Sequence, residues 1–246
     1  MKKIIAVILL MACVVGATSC SLFDKINNKK QNASIIENYQ NMFAISIPTK
    51  AETVVTETMS SVVLESVVTI TTGTVDGKKA SVVTTNIQSL NDIDVDKFRD
   101  LSLNLIAETS NVRWYYEGMG TSTNRGKTWD SEGVDFAPKA GSITLNLDAA
   151  LMENIEYKAD GNTEYLTFDV SKANAAKVLG DYVESSFKYD CNVKITASGG
   201  RISGVEISYS IESHELGDMD AYVEVEQIDM VVKASYSYDL QEITFD

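Results

Sequence analysis

Over long stretches of the chain apolar and polar residues alternate singly. In Arg201–Glu212, Val205, Ile207, Tyr209 and Ile211 share one phase, and Gly204, Glu206, Ser208 and Ser210 share the other. A period of two predicts a half-buried antiparallel strand, apolar side inward. In Tyr222–Phe245 the phase switches: Val223 and Val225 set one, and Ile228, Met230, Val232, Ala234, Tyr236 and Tyr238 set the other. A switch between Glu226 and Ile228 predicts a β-bulge, which bends a strand and helps a sheet to curl. Further strands are expected at Thr53–Thr58, Val62–Thr72, Ala80–Ser89, Val112–Gly118, Ile143–Leu147, Ile155–Lys158, Glu164–Val170 and Tyr189–Ala197. Asp76-Gly77, Asp160-Gly161 and Gly199-Gly200 lie between apolar runs as hairpin turns require.

Helical signals are fewer. Ser34 and Glu37 fit a capping box, followed by Ile35, Ile36, Tyr39 and Phe43 on one face, with Pro48 barring a long extension. Ser171 is placed to cap Lys172–Leu179 with Gly180 after its end, and Asp148 to cap Ala149–Asn154. Lys97–Ala107 fits a helix through Phe98, Leu101 and Leu105, and a strand through Leu101, Leu103 and Leu105; the helix is the expectation. The pattern as a whole predicts one α+β domain over 34–246, an antiparallel sheet with a few short helices.

The first 33 residues follow different rules. Lys2 and Lys3 precede the uncharged apolar run Ile4–Val15, whose 12 residues fall short of the roughly 20 needed to span a bilayer. A basic start, an apolar middle and a small-residue exit form a secretory signal over 1–19. The segment Ala17-Thr18-Ser19-Cys20 resembles the lipobox of bacterial lipoproteins, with Ala17 where leucine is usual. That resemblance implies a diacylglycerol thioether on Cys20 and a protein facing outward from the cell membrane. Cys13, after Leu10-Met11-Ala12, is a rival site that leaves too short an apolar run. Plain secretion, cut at the same bond, is the alternative. Residues 20–33 read as the lipidated cysteine and a polar tether, whose dozen flexible residues reach roughly 20 Å.

Charge and cysteine content narrow the remaining classes. The 246-residue chain carries −14; removing Lys2 and Lys3 with the signal leaves 19 basic against 35 acidic residues, a charge of −16. Such a body repels nucleic acid and anionic headgroups. Cys191 is the one cysteine of the body and alternates with Val193 and Ile195, as a small buried hydrophobe does.

Catalytic and metal-binding patterns do not assemble. His214 is the single histidine and sits in a polar loop, without a Gly-x-Ser-x-Gly elbow elsewhere. Gly118-Met119-Gly120 and Gly126-Lys127-Thr128 each lack the further glycine of a nucleotide loop and read as turns around Trp129. Asp92, Asp94 and Asp96 start like a calcium loop, but Lys97 and Leu103 stand where glycine and the last ligand belong. An irregular calcium site at these aspartates is the lesser alternative to a wet face. The chain is expected to be no enzyme and to need no cofactor.

Arg113-Trp114-Tyr115-Tyr116 puts Trp114 and Tyr116 on one strand face and Tyr115 on the other. Such rings either fill a core or line a ligand cavity. The strings "SIPTKAETVVTETM", "TTGTVDGKKASVV", "YYEGMGTSTNRGKTWD" and the closing "ASYSYDLQEITFD" resemble envelope lipoproteins built on a curled half-barrel. These include the LolA-like periplasmic carriers, the mycobacterial lipid-carrying lipoproteins and, nearest, Gram-positive lipoproteins without an assigned activity. The resemblance implies a sheet curled around short helices on its concave side, enclosing an apolar cavity for acyl chains. The candidates to line it are Trp114, Tyr116, Val205, Ile207, Tyr209, Ile211, Met230, Val232 and Tyr236. The expected function is binding of a lipid or other apolar ligand at the membrane. A filled core that presents an acidic surface to an envelope partner is the alternative.

Overall fold

The computed structural model describes residues 31–59, 62–89, 109–131, 138–180, 190–212 and 227–245. Cys13, Cys20, the three aspartates at 92–96, the Lys97–Ala107 segment, His214 and the phase switch at Glu226 lie outside them. The described chain forms helix α1 (31–45), then β1 (Lys50–Met59), β2 (Val62–Val75), β3 (Lys78–Ser89), β4 (Thr109–Tyr116) and β5 (Gly120–Ser122). After these come β6 (Glu153–Asp160), β7 (Thr163–Val170), helix α2 (Ala175–Leu179), β8 (Cys191–Ser198), β9 (Arg201–Glu212) and β10 (Gln227–Ser237).

The ten strands make one antiparallel sheet in the order β5-β4-β3-β2-β1-β10-β9-β8-β7-β6. Two meanders, β1–β5 and β6–β10, are joined by pairing of β1 with β10, from Lys50 opposite Ser237 to Thr58 opposite Asp229. The short strand β5 and the outer strand β6 are the two ends of the sheet, so it stays open. An open antiparallel sheet carrying few helices is the fold class expected from the alternation.

The turns show why the meanders close where they do. Asp76 and Gly77 (φ 49° and 77°), and Gly199 and Gly200 (58° and 74°), supply the paired left-handed residues of a two-residue hairpin. The third hairpin turns at Gly161-Asn162, one residue later than expected, because β6 pairs through Asp160 with Thr163. From Gln227 to Ser235, β10 pairs with β9 without a break; register shifts occur within β8–β9 at Thr196/Ala197 and within β6–β7 between Glu153 and Glu156.

Opposed residues in an antiparallel ladder share a face, so register alone sorts the side chains. The inner face carries Leu166, Phe168 and Val170 of β7, Cys191, Val193 and Ile195 of β8, and Ile202, Val205 and Ile207 of β9, all at most 2% exposed. Over them lie Ile36, Tyr39, Met42 and Phe43 of α1 and Ala175, Val178 and Leu179 of α2, in the same buried cluster. Ser34 falls inside α1 and does not cap it. Ser46, just past that helix, accepts at Oγ from the Ile202 amide (3.1 Å), locking α1 to β9.

Three local expectations change. Ile143–Leu147 is extended, with Ile143, Leu145 and Leu147 buried, but is not a strand. Its amides donate to Tyr236 Oη (2.8 Å, from Ile143), to the Val178 carbonyl (2.9 Å, from Asn146) and to Gln40 Oε1 (2.9 Å, from Leu147) instead of a ladder. Asp148 caps one turn through the Ala150 amide (2.9 Å), since β6 begins at Glu153. Asn174, not Ser171, is the N-cap of α2, because a preceding turn from Asn174 N to the Ser171 carbonyl (2.9 Å) takes up the first residues.

The strand expected to reach Phe245 ends at Ser237. Residues 238–245 leave the sheet and cross its outer face. A Cβ on Gly73 would stand 2.8 Å from the Gln241 carbonyl oxygen and 3.3 Å from Ile243 Cδ1, so only glycine admits this crossing. Phe245 ends edge-on to Tyr116 (5.1 Å) and Trp129 (5.2 Å), making a small second core with Ala80 and Ile243.

A candidate ligand-binding face and an edge cleft

Reading rows across the inner face shows where its cover stops. One row runs Leu166, Ile195, Val205, Ala234, Thr53, Val68, Thr85, Asn111. Another runs Phe168, Val193, Ile207, Val232, Val55, Ser66, Ile87. A third runs Tyr236, Ala51, Ile70, Val83, Arg113. The first two rows are fully buried on β7–β9 and half-buried from β1 to β3; the third is buried at Tyr236 and Ala51 and half-buried at Ile70 and Val83. Val55 and Ile70 still pack against the core; Leu64, Val68, Val83 and Ile87 are half-buried beyond it, interspersed with Thr53, Ser66, Thr85 and, opposite Leu64, Glu57. The result is an apolar strip that emerges from under the helices and ends at Arg113.

The residues singled out as cavity candidates divide between two places. Val205, Ile207, Tyr209, Ile211, Val232 and Tyr236 are buried in the core cluster, and Met230 is half-buried against it. Trp114 and Tyr116 lie on the outer face, since Trp114 opposes Val82 and Tyr116 opposes Ala80. Tyr116 stacks with Trp129 (5.9 Å), with the Lys78 ammonium 5.7 Å from its ring. Their expected partnership with β9 and β10 is therefore not formed: the sheet itself stands between them.

Two buried hydroxyls, Tyr39 Oη and Ser81 Oγ, have no hydrogen-bond partner among the described residues. Burial first, and the Glu164 charge second, push the Tyr39 phenol above its ordinary range, so it stays a neutral O–H. Burial likewise pushes the Cys191 thiol up to about 12, with Asp190 adding to the effect. A thiol held neutral and 1% exposed is inert. Native protein is expected to show no reaction of Cys191 with a maleimide at pH 7.5, and stoichiometric reaction in 6 M guanidinium. Because the folded value is the higher one, this group's contribution to stability is full below about 9 and declines as pH rises from there towards 12.

At the far edge of the sheet, Arg113 and Tyr115 of β4 and Thr121 and Ser122 of β5 border an open cleft of about 410 Å³; Thr123, Thr128, Trp129 and Asp130 complete it. The last wall is pinned by a bridge in which Thr121 and Asp130 exchange amide and carbonyl bonds, both 2.8 Å. Gly120 (φ 101°) makes the bridge possible, since a Cβ there would lie 2.0 Å from the Asp130 carbonyl oxygen. Sequence reasoning missed this cleft. Its nearest signal is the alternation of Thr121 and Thr123 after a turn, in phase with Arg113 and Tyr115 before it.

Among the described residues no group of three or more His, Cys, Asp and Glu side chains is placed to hold a metal ion. No family model matches the chain, and no curated protein does. Among solved structures the chain is similar to a DUF1329 family protein from Desulfovibrio piger, at 8% identity and a TM-score of 0.25, over 84% of this chain and 92% of that one. It is also similar to a LolA superfamily protein from Nitrosomonas europaea, at 8% identity and a TM-score of 0.20, over 87% and 96% respectively. Scores this low carry no argument about fold or ligand, so the geometry above stands alone.

Proposed function

We propose that this chain is an exported lipoprotein, anchored to the outer surface of the cell membrane through Cys20, that holds an acyl chain or similar apolar ligand on the inner face of β1–β3. The observation that supports the ligand is the continuation of the core rows beyond the cover that α1 and α2 provide among the described residues. Leu64, Val68, Val83 and Ile87 stay half-exposed on a face that is fully dry five strands away. An extended acyl chain is the ligand that suits a narrow apolar strip, because each buried methylene contributes about 0.8 kcal/mol without needing a polar partner. The interspersed Thr53, Ser66 and Thr85 keep the strip from being a protein-sized apolar patch.

A second reading, a protein-binding lipoprotein, draws support from the filled core under α1 and from the −14 charge of the chain. One experiment separates the two. Protein purified from its own envelope is extracted with organic solvent, and non-covalent lipid is measured by mass spectrometry. About one lipid per chain is expected. Val68→Asp and Val83→Asp place a charge on the strip, which a half-exposed site tolerates; each is expected to lower lipid content about tenfold, or about 1.4 kcal/mol, at an unchanged fold. Wild-type protein that carries no lipid, and takes up no fluorescent fatty acid, would leave the protein-binding reading in place.

A further inference from the structure

The edge cleft is set apart from the strip by its chemistry, and its walls are rigid. Ser122 is 3% exposed, and its Oγ accepts from the amides of Asn124 (3.2 Å) and Gly126 (2.8 Å). Asn124 Oδ1 in turn accepts from the Ser122 hydroxyl (2.9 Å) and the Thr128 amide (3.0 Å), and its Nδ2 donates to Thr128 Oγ1 (2.8 Å). Arg125 and Gly126 are both left-handed (φ 58° and 81°), and a Cβ on Gly126 would stand 2.9 Å from the Trp129 ring. Loop 122–128 is thus knitted shut on itself and clamps Trp129 against Phe245 and Tyr116. A wall built this way is formed before any ligand arrives, which lowers the ordering cost of binding.

Hydroxyls and rings make up most of the groups bordering the cleft. Thr121 and Thr123 offer hydroxyls that both donate and accept. Tyr115 and Trp129 offer ring surface with a polar tip. The Arg113 guanidinium, exposed on β4, has no ion pair or hydrogen bond among the described residues. A single cation beside Asp130, in a chain of charge −14, is a poor trap for an anion. The matching ligand carries many neutral hydroxyls and a flat C–H face: the hydroxyls pair with the guanidinium fork and the threonines, and the C–H face covers a ring. The volume, about 410 Å³, lies within the range of small-ligand sites, about 300–1,000 Å³.

We infer that the β4–β5 edge cleft is a binding site for a short uncharged saccharide. This site adjoins the apolar strip at Arg113 but differs from it in chemistry, and the inference holds whether or not the strip takes a lipid. The test is an amide-resolved NMR titration of the mature chain with cellotriose, maltotriose and chitotriose, and separately with inorganic phosphate, each to roughly 10 mM, a range that detects millimolar dissociation constants. At least one trisaccharide is expected to shift Arg113, Tyr115, Thr121, Thr123 and the Trp129 indole N–H saturably. Arg113→Met and Thr123→Val, both at exposed positions outside the loop's own hydrogen bonds, should weaken that binding about tenfold each while leaving the melting temperature unchanged. Silence with all three trisaccharides overturns the inference. So does a response to phosphate alone, or saccharide shifts that persist undiminished in both variants.

Discussion

Phe168→Ala is expected to lower the unfolding free energy by about 3–5 kcal/mol, the cost of a cavity in a close-packed core. Phe168 is 1% exposed on the inner face of β7, and sits in one buried cluster with Tyr39, Leu145 and Leu166, each 0% exposed. Val68→Ala, on the same face in β2, is expected to cost less than about 1 kcal/mol, because a half-exposed valine has removed only part of its two methyl groups from water. Urea titration measures both through the midpoint, provided the slope is unchanged. The contrast matters more than either number. If the two substitutions cost the same, the region under α1 is a ligand hollow, and the division of the sheet into a dry half and an open half is wrong.

That division was only partly legible in the sequence. Strands β7–β9 alternate cleanly, so their inner residues could be named from the chain: Val193, Ile195, Val205, Ile207 and Ile211 are all buried. Strands β1–β3 carry apolar doublets, Val54-Val55, Val67-Val68 and Val82-Val83, with one member on each face. A doublet has no phase, and a one-residue slip reverses which valine points inward; only the pairing register assigns Val55, Val68 and Val83 to the strip. Ile143–Leu147 shows the opposite error. Its period of two is real and its apolar residues are buried, but periodicity reports burial, and a strand also needs a neighbour. Its amides found a tyrosine, a glutamine and a helix carbonyl instead. The cleft was illegible for a third reason: Arg113, Thr121 and Asp130 meet only through a hairpin and an isolated bridge, and Phe245 reaches Trp129 by a crossing that no local pattern encodes.

Cys20→Ala is expected to move the protein from almost wholly membrane-bound to almost wholly released. In the proposal Cys20 is the first residue left once 1–19 are removed, and its role is to carry the acyl chains. The size of the effect follows from chain count. One acyl chain gives only marginal binding, on the order of 10⁴ M⁻¹, while a second adds about 0.8 kcal/mol for each further buried methylene and makes attachment stable. Charge does not compensate, because a net −16 after removal of residues 1–19 is repelled by anionic headgroups. Wild-type protein should therefore stay in the membrane fraction through a 1 M salt wash, which screens charge to about 3 Å but leaves hydrophobic attachment intact. Its intact mass should exceed that of the polypeptide from Cys20 to Asp246 by a diacylglycerol or more. The variant should appear outside the cells without that added mass. Two results decide against the anchor: a wild-type mass equal to the bare chain, or an alanine variant that remains on the membrane as firmly as its parent. Either would shift the ligand question as well, since a freely diffusing protein with an open apolar strip is a carrier between surfaces, whereas a tethered one serves the membrane to which it is tied.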